Sequence, residues 1–289
     1  MIKAIQIKRE LLHTIGSIAL AWQILFFYLP IFFLIVGSFS PTGTFGFTLS
    51  NIMLMMNAAY FKALLNSLLL SLSTATICLL IAFPLSYFIV FKTKKWKYTL
   101  LFLLIIPFWT NFLLNVYAWF FLLEKNGLLN QLLLYTGAIK EPMQILYTPF
   151  ATLLLMVYFY LPFITLPIFS ALERFDTTYY EASLILGAGR LQTFSKIVFP
   201  MIEKAIISGF FLVFIPAFGE FLIPELIGGD KIYYVGNVMS LYLLGESTAP
   251  IGIAFTTLSI CFLMICSYLI FISFKTLFRS MQGELHDIS

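Results

Sequence analysis

Acid–base, metal or nucleophilic chemistry in this chain would draw chiefly on two histidines, three cysteines and 13 carboxylates. Their placement argues against all three. His13 and His286 lie near opposite ends, outside the apolar runs, so a histidine metal site and a histidine-based intramembrane protease both lack their parts. Cys78, Cys261 and Cys266 fall inside apolar runs with no disulfide or zinc spacing, and read as small, soft hydrophobes. No G-x-x-x-x-G-K-[ST] segment occurs, so ATP has no phosphate loop of that kind here. The expectation is a chain that is not an enzyme and binds no cofactor itself.

What remains is charge in an apolar setting. Glu220 and Glu225 stand at the far part of an apolar run, where a charge costs a few kcal/mol even on lenient insertion scales, so a functional role is the default. Five residues apart, they lie roughly 140° around an ideal helix and share a face only if Pro216 or Pro224 redirects the chain. Glu220, the deeper, reads as facing a cavity. Glu225, nearer the mouth, reads equally as functional or as merely hydrated.

The segment from Glu173 to Pro200 is the most informative. Thr178 followed by Glu181 has the form of a capping box, which starts a short helix near Tyr179. Gly187, with Gly189 close behind, ends it. A second helix fits from about Arg190 to Phe199, with Leu191, Phe194 and Val198 on one face and Pro200 just after it. Such an apolar stripe outside the bilayer is explained by a protein partner, or by packing back onto the membrane domain.

The elements that position these residues follow from composition. Of 289 residues, 61% are hydrophobic and only 10% charged, with mean hydropathy +0.98; soluble domains carry roughly 45–50% apolar and about 25% charged residues. Lipid must cover this chain. Six apolar runs approach the roughly 20 residues needed to cross a bilayer: Ser17 to Ser38, Leu64 to Phe91, Thr99 to Leu123, Pro149 to Leu172, Ala205 to Leu226 and Pro250 to Phe274. The fold class is therefore all-α, a six-span polytopic membrane protein. Its parts are residues 1–63 (N-terminal segment, first span and outer loop), 64–274 (core, with the 173–203 connection) and a tail, 275–289. Prolines inside spans bend helices, and Pro162 and Pro167 mark the fourth span for a kink.

Basic residues are retained on the cytoplasmic side. Lys3, Lys8, Arg9, Lys92, Lys94, Lys95, Lys97, Arg174, Arg190, Lys196, Lys204, Lys275 and Arg279 share one face, which places both termini inside. The other face carries Lys62, Lys125, Lys140 and Lys231 against Glu124, Glu141, Glu220, Glu225, Asp230 and Glu246. The formal net charge of +4 is thus a topology signal, and a nucleic-acid partner has no support.

Glu181-Ala182-Ser183, three residues, Gly187, nine residues, Ile197, one residue and Phe199-Pro200 resemble the EAA motif of ABC-importer permeases, E-A-A-x3-G-x9-I-x-L-P. Ser183 stands for Ala and Phe199 for Leu. The resemblance covers nearly the whole chain and narrows to the spermidine/putrescine permeases through Pro107-Phe-Trp-Thr-Asn111, Gly127-Leu-Leu-Asn130, and Leu226-Ile-Gly-Gly229 with Gly236-Asn237. Asn115 departs from it, standing where a basic residue is expected. The resemblance implies a bacterial inner-membrane subunit whose Glu181–Gly187 helix couples to a separate ATPase. It also implies partners: a second homologous permease, two ATPase subunits that carry ATP and Mg, and an extracytoplasmic substrate-binding protein. It further implies a pathway lined by acidic and aromatic residues, with Glu220, Glu225, Trp109, Tyr117 and Trp119 as candidates; aromatic faces attract ammonium groups. Two alternatives stay open. One is an ion-coupled carrier with Glu220 titrating; the other is an ABC permease for a different small solute, such as an oxyanion or iron chelate.

Overall fold

The computed structural model describes residues 16–39, 47–93, 95–229, 232–243 and 249–286, the side chains of 190, 191 and 281–286 excepted. Lys3, Lys8, Arg9, His13, Lys94, Asp230, Lys231 and Glu246 lie outside the described residues. Every regular element among the described residues is helical. Four helices are individually long and apolar enough to cross a bilayer: α1 (Gly16–Ser38), α3 (Ala58–Lys92), α7 (Pro149–Glu173) and α13, which runs Ala249–His286. Between the first two lies the short α2 (Ser50–Met55).

The two remaining expected spans are bent. Instead of one helix from Thr99 to Leu123, the chain forms α4 (Lys97–Trp109) and α5 (Phe112–Leu123), and the stretch Phe112–Tyr135 is bent by 94° from α4 at the break. Thr110 is extended there, and Asn111 caps α5 by accepting the Leu114 N–H. A short α6 (Leu128–Tyr135) follows. Instead of one helix from Ala205 to Leu226, the Phe194–Met201 part of α9 (residues 190–201) meets α10 (Glu203–Phe218) at 64°, and α10 itself stops short of Glu220. Residues 222–228 (α11) then resume the helix, and α12 spans Val235–Leu243. Counting each bent pair once gives six spans.

The bends do not fall where the proline count points. Pro162 and Pro167 sit inside an unbroken α7, whereas each break follows Pro107, Pro200 or Pro216 by a few residues. Proline frees one backbone carbonyl and leaves neighbouring packing to decide the outcome. α7 is the most enclosed of the four long spans, with 56% of its apolar window buried against 33%, 11% and 0% for the others, and that enclosure keeps the helix continuous through both prolines.

By contacts the described chain forms two compact units, Met1–Phe61 with Val238–Cys261, and Lys62–Asn237 with Phe262–Ser289. The second unit holds two buried clusters. In one, α3 (Ala75, Cys78, Ala82), α7 (Ile164, Ile168, Leu172) and α10 (Ile206, Phe210, Val213, Phe214) interlock. The three- and four-residue spacings are those of a helix face turned toward a core. Small residues on α3 allow close approach, and Cys78, buried as a small hydrophobe should be, points its thiol at the Val157 carbonyl. The other cluster joins Val116, Leu155, Phe159, Ala217, Ile223 and Ile227. In the first unit, the Tyr60 and Tyr242 hydroxyls lie 2.6 Å apart, and Gly37 approaches Ile253 closely.

Candidate functional site

The chain presents two sites, an elbow at one end of α7 and a break at the far end of α10. The elbow begins three residues after α7. Asp176 is the N-cap of α8 (Thr177–Ile185), its carboxylate accepting from the Thr178 N–H (3.0 Å) and from the Thr178 hydroxyl (2.6 Å). The Thr178–Glu181 capping box therefore gives way to an Asx cap two residues earlier. Those two donors hold the Asp176 carboxyl below its ordinary range. At the other end the Ala188 N–H reaches the Ser183 carbonyl and the Gly187 N–H the Leu184 carbonyl, while Gly187 takes φ +87°. This pair of bonds is a Schellman motif, which a glycine closes without a Cβ clash. The expected turn is there.

Beyond it, α9 folds back. Phe194 stacks edge-on against Phe83 (4.9 Å) and Tyr87 (5.8 Å), and Val198 is buried. Phe199 contacts Phe83 and Phe278. Of the two readings of the apolar stripe, a partner or packing back onto the membrane domain, Phe194 and Val198 take the second and cover the end of the bundle, because α3 offers aromatic faces there; the Leu191 side chain lies outside the described residues. The exposed apolar ridge lies on α8 and its end: Tyr179, Leu184, Ile185 and Leu186, the last two 85% and 87% exposed. Ser183 is buried and hydrogen-bonds the buried Thr193 hydroxyl, tying the two arms of the elbow together. Glu181 lines a cavity of about 130 Å³ with Tyr87, Phe91, Phe175, Tyr180 and Val198, and Ala182 is exposed. Ile197 and Pro200 are half-buried, Pro200 within the last turn of α9 rather than after it. At the root of the elbow, Glu173 pairs with Lys97 (2.7 Å) and accepts from the Tyr98 hydroxyl (2.8 Å).

At the far break, Glu220 is half-buried and its carboxylate is occupied. One oxygen accepts from the backbone N–H groups of Phe221 and Leu222, both at 3.1 Å, and the other from the Tyr160 hydroxyl at 3.0 Å. Glu225, in α11, is exposed and accepts from the Asn237 amide of α12. Glu220 thus lies in the break and Glu225 within α11, and one-helix geometry does not relate them. α12 abuts the break: a Cβ at Gly236 would lie 2.7 Å from the Gly219 and Glu220 carbonyls and from Phe221 Cβ.

The three aromatics have different surroundings. Trp109 is 76% exposed against Phe102, and Tyr117 is exposed as well. Trp119 meets Tyr158 at 5.1 Å, where Asn115 also reaches the Tyr158 hydroxyl and the Pro107 carbonyl. Asn115 therefore braces the α4–α5 break. Tyr160, Asp176 and Thr193 escaped the sequence reading. An Asp immediately before a threonine pair signals a cap, but nothing local marks Tyr160 or Thr193.

The model of a family described as binding-protein-dependent transport system inner membrane component matches residues 9–282. The spermidine/putrescine transport system permease protein PotB of Escherichia coli (strain K12) is 38% identical over 238 residues, covering 81% of this chain and 86% of that protein. PotB of Salmonella typhimurium (strain SL1344) is 35% identical over 271 residues, covering 92% and 94%. Among solved structures, a bacterial alginate ABC transporter in complex with its alginate pentasaccharide-bound periplasmic protein superposes with a TM-score of 0.70 at 19% identity, over 96% of this chain and 97% of that one.

Proposed function

The chain belongs to the family of binding-protein-dependent transport system inner membrane components, and we propose from that premise that it is the permease subunit of a polyamine importer, driven by a separate ATPase through the α8 elbow. The observation that carries the reading is the ridge of Tyr179, Leu184, Ile185 and Leu186, left exposed on a helix that is capped, closed by Gly187 and pinned to α9. A mere connector gains nothing from exposing such a ridge; a groove on an ATPase does. Two ATPase subunits supply ATP and Mg, a second homologous permease completes the pathway, and an extracytoplasmic binding protein delivers cargo. The alginate relative's complex with a periplasmic protein supports that last partner.

The relatives named for spermidine and putrescine support the cargo. Glu225, exposed beyond the break, is the carboxylate available to an ammonium group, while exposed Trp109 and Tyr117 offer aromatic faces. Affinity can reside in the binding protein, so contacts in the pathway need only be transient. Replacing Ile185 and Leu186 together by Glu should abolish co-purification of the ATPase subunit without lowering the amount of this chain in the membrane. Retained co-purification with full spermidine uptake would overturn the docking role.

A further inference from the structure

We infer that the Tyr160–Glu220 hydrogen bond is the mechanical tie between the α8 elbow and the far break, which makes Tyr160 a positioning residue for coupled transport. The inference rests on the permease reading and adds a route through the molecule to it. Three observations meet at this bond. First, α7 carries both ends of the route: Tyr160 is 13 residues before Glu173, roughly 20 Å along a helix at about 1.5 Å per residue, and only residues 174–176 separate Glu173 from α8. Phe175, inside that link, packs into the α3–α7–α10 core, and Glu173 is clamped by Lys97 and Tyr98.

Second, Glu220 lies in the break itself and its carboxylate is bonded to the start of the piece beyond it. It accepts the first two N–H groups leading into α11, donors that a helix start leaves without intrahelical partners. Third, its other oxygen is held by Tyr160. The bond therefore ties α7 directly to α11 and bypasses the end of α10, where Gly219 and Glu220 have left helical pairing with residues four back. On the opposite side, Gly236 of α12 sits against the same three residues, 219–221. A displacement of α7 at its elbow end thus reaches the far break through this hydroxyl, the directional bond beside the apolar packing of Leu155 and Phe159 on Ile223 and Ile227, and a displacement of the break returns by the same path.

On this account Glu220 needs its acceptors and its geometry, whereas a cargo-binding carboxylate needs its charge. The two roles separate by substitution. Tyr160→Phe removes the donor alone. Glu220→Gln keeps a carbonyl oxygen for the Phe221 and Leu222 N–H groups and offers an NH2 to the Tyr160 oxygen. The full importer, with both permeases, the ATPases and the binding protein, is reconstituted in lipid vesicles and assayed for ATP hydrolysis and for spermidine and putrescine uptake.

Tyr160→Phe should reduce the stimulation of ATP hydrolysis by loaded binding protein about tenfold, the scale of one lost hydrogen bond to a charged group. Maximal uptake should fall with it, while the uptake KM stays within about twofold, since no cargo contact is removed. Glu220→Gln should keep at least half of the stimulation. Full stimulation and uptake in an assembled Tyr160→Phe complex would overturn the tie. So would a Glu220→Gln variant whose uptake KM rises sharply, because charge would then be the property in use. If Tyr160→Phe fails to assemble, Glu220→Gln decides alone by the same two outcomes. A wild-type complex that takes up neither polyamine would count against the cargo assignment, and the tie would still be read from stimulated ATP hydrolysis.

Discussion

Asp176 and the Ser183–Thr193 pair show how single side chains hold the elbow. Asp176 caps α8 through two bonds from Thr178; Asp176→Ala should fray the first turn and weaken ATPase stimulation, while Asp176→Asn, another good cap, should restore most of it. Its pKa is lowered below the ordinary 3.8 in the folded chain. The cap's contribution is therefore present above the ordinary value and lost only as pH falls through the lower folded value, so acidification from neutrality to about pH 5 should leave stimulation unaffected. Ser183 and Thr193 are 6% and 1% exposed. Ser183→Ala or Thr193→Val alone strands a buried hydroxyl and should cost about 1–3 kcal/mol in thermal unfolding, whereas the double variant should cost less than the sum of the two. The Gly187 turn was legible in the sequence because only handedness was at stake. The cap was not, because Thr178–Glu181 and Asp176–Thr178 both satisfy early N–H groups, and only the path of residues 174–176 out of α7 chooses between them. Ser183 looked like a departure from the motif until Thr193 came beside it across the turn.

At the scale of elements, the helices pack where side chains are smallest. A Cβ at Gly209 would lie 2.9 Å from Ile164 Cγ1 and 3.1 Å from Pro167 Cγ, so α10 approaches α7 through that glycine. Gly209→Ala should overpack this contact by about 1–3 kcal/mol, seen as a lower unfolding temperature in detergent. Gly236→Ala should instead act on the break, since the obstructing atoms there include the backbone carbonyls of Gly219 and Glu220; spermidine uptake should fall while α8-dependent assembly with the ATPase persists. Span positions were readable because lipid imposes length and apolarity on every one of them. The breaks were not, because proline only loosens a helix: packing along α7 keeps the helix unbroken through Pro162 and Pro167, while Thr110, Ile202 and Gly219 give way. That is also why Glu220, placed on one helix with Glu225 by spacing, lies instead in the break before α11.

For the whole molecule, the second unit contains both the elbow and the break, joined by α7 and α10. This chain reconstituted without its ATPase should show no spermidine uptake, with or without an ion gradient; gradient-driven uptake would instead favour a carrier. The first unit raises a different matter. From Gly16 through Val36 every residue of α1 except Leu34 is exposed, and none of the helix's apolar window is buried. Its contact with α13 comes at the last turn, at Gly37. The residence of α1 in the bilayer should therefore rest on oil–water partitioning far more than on packing within this chain. A sequence-unrelated apolar anchor of equal length should insert just as well, and any defect it caused would report on neighbours contributed by other polypeptides.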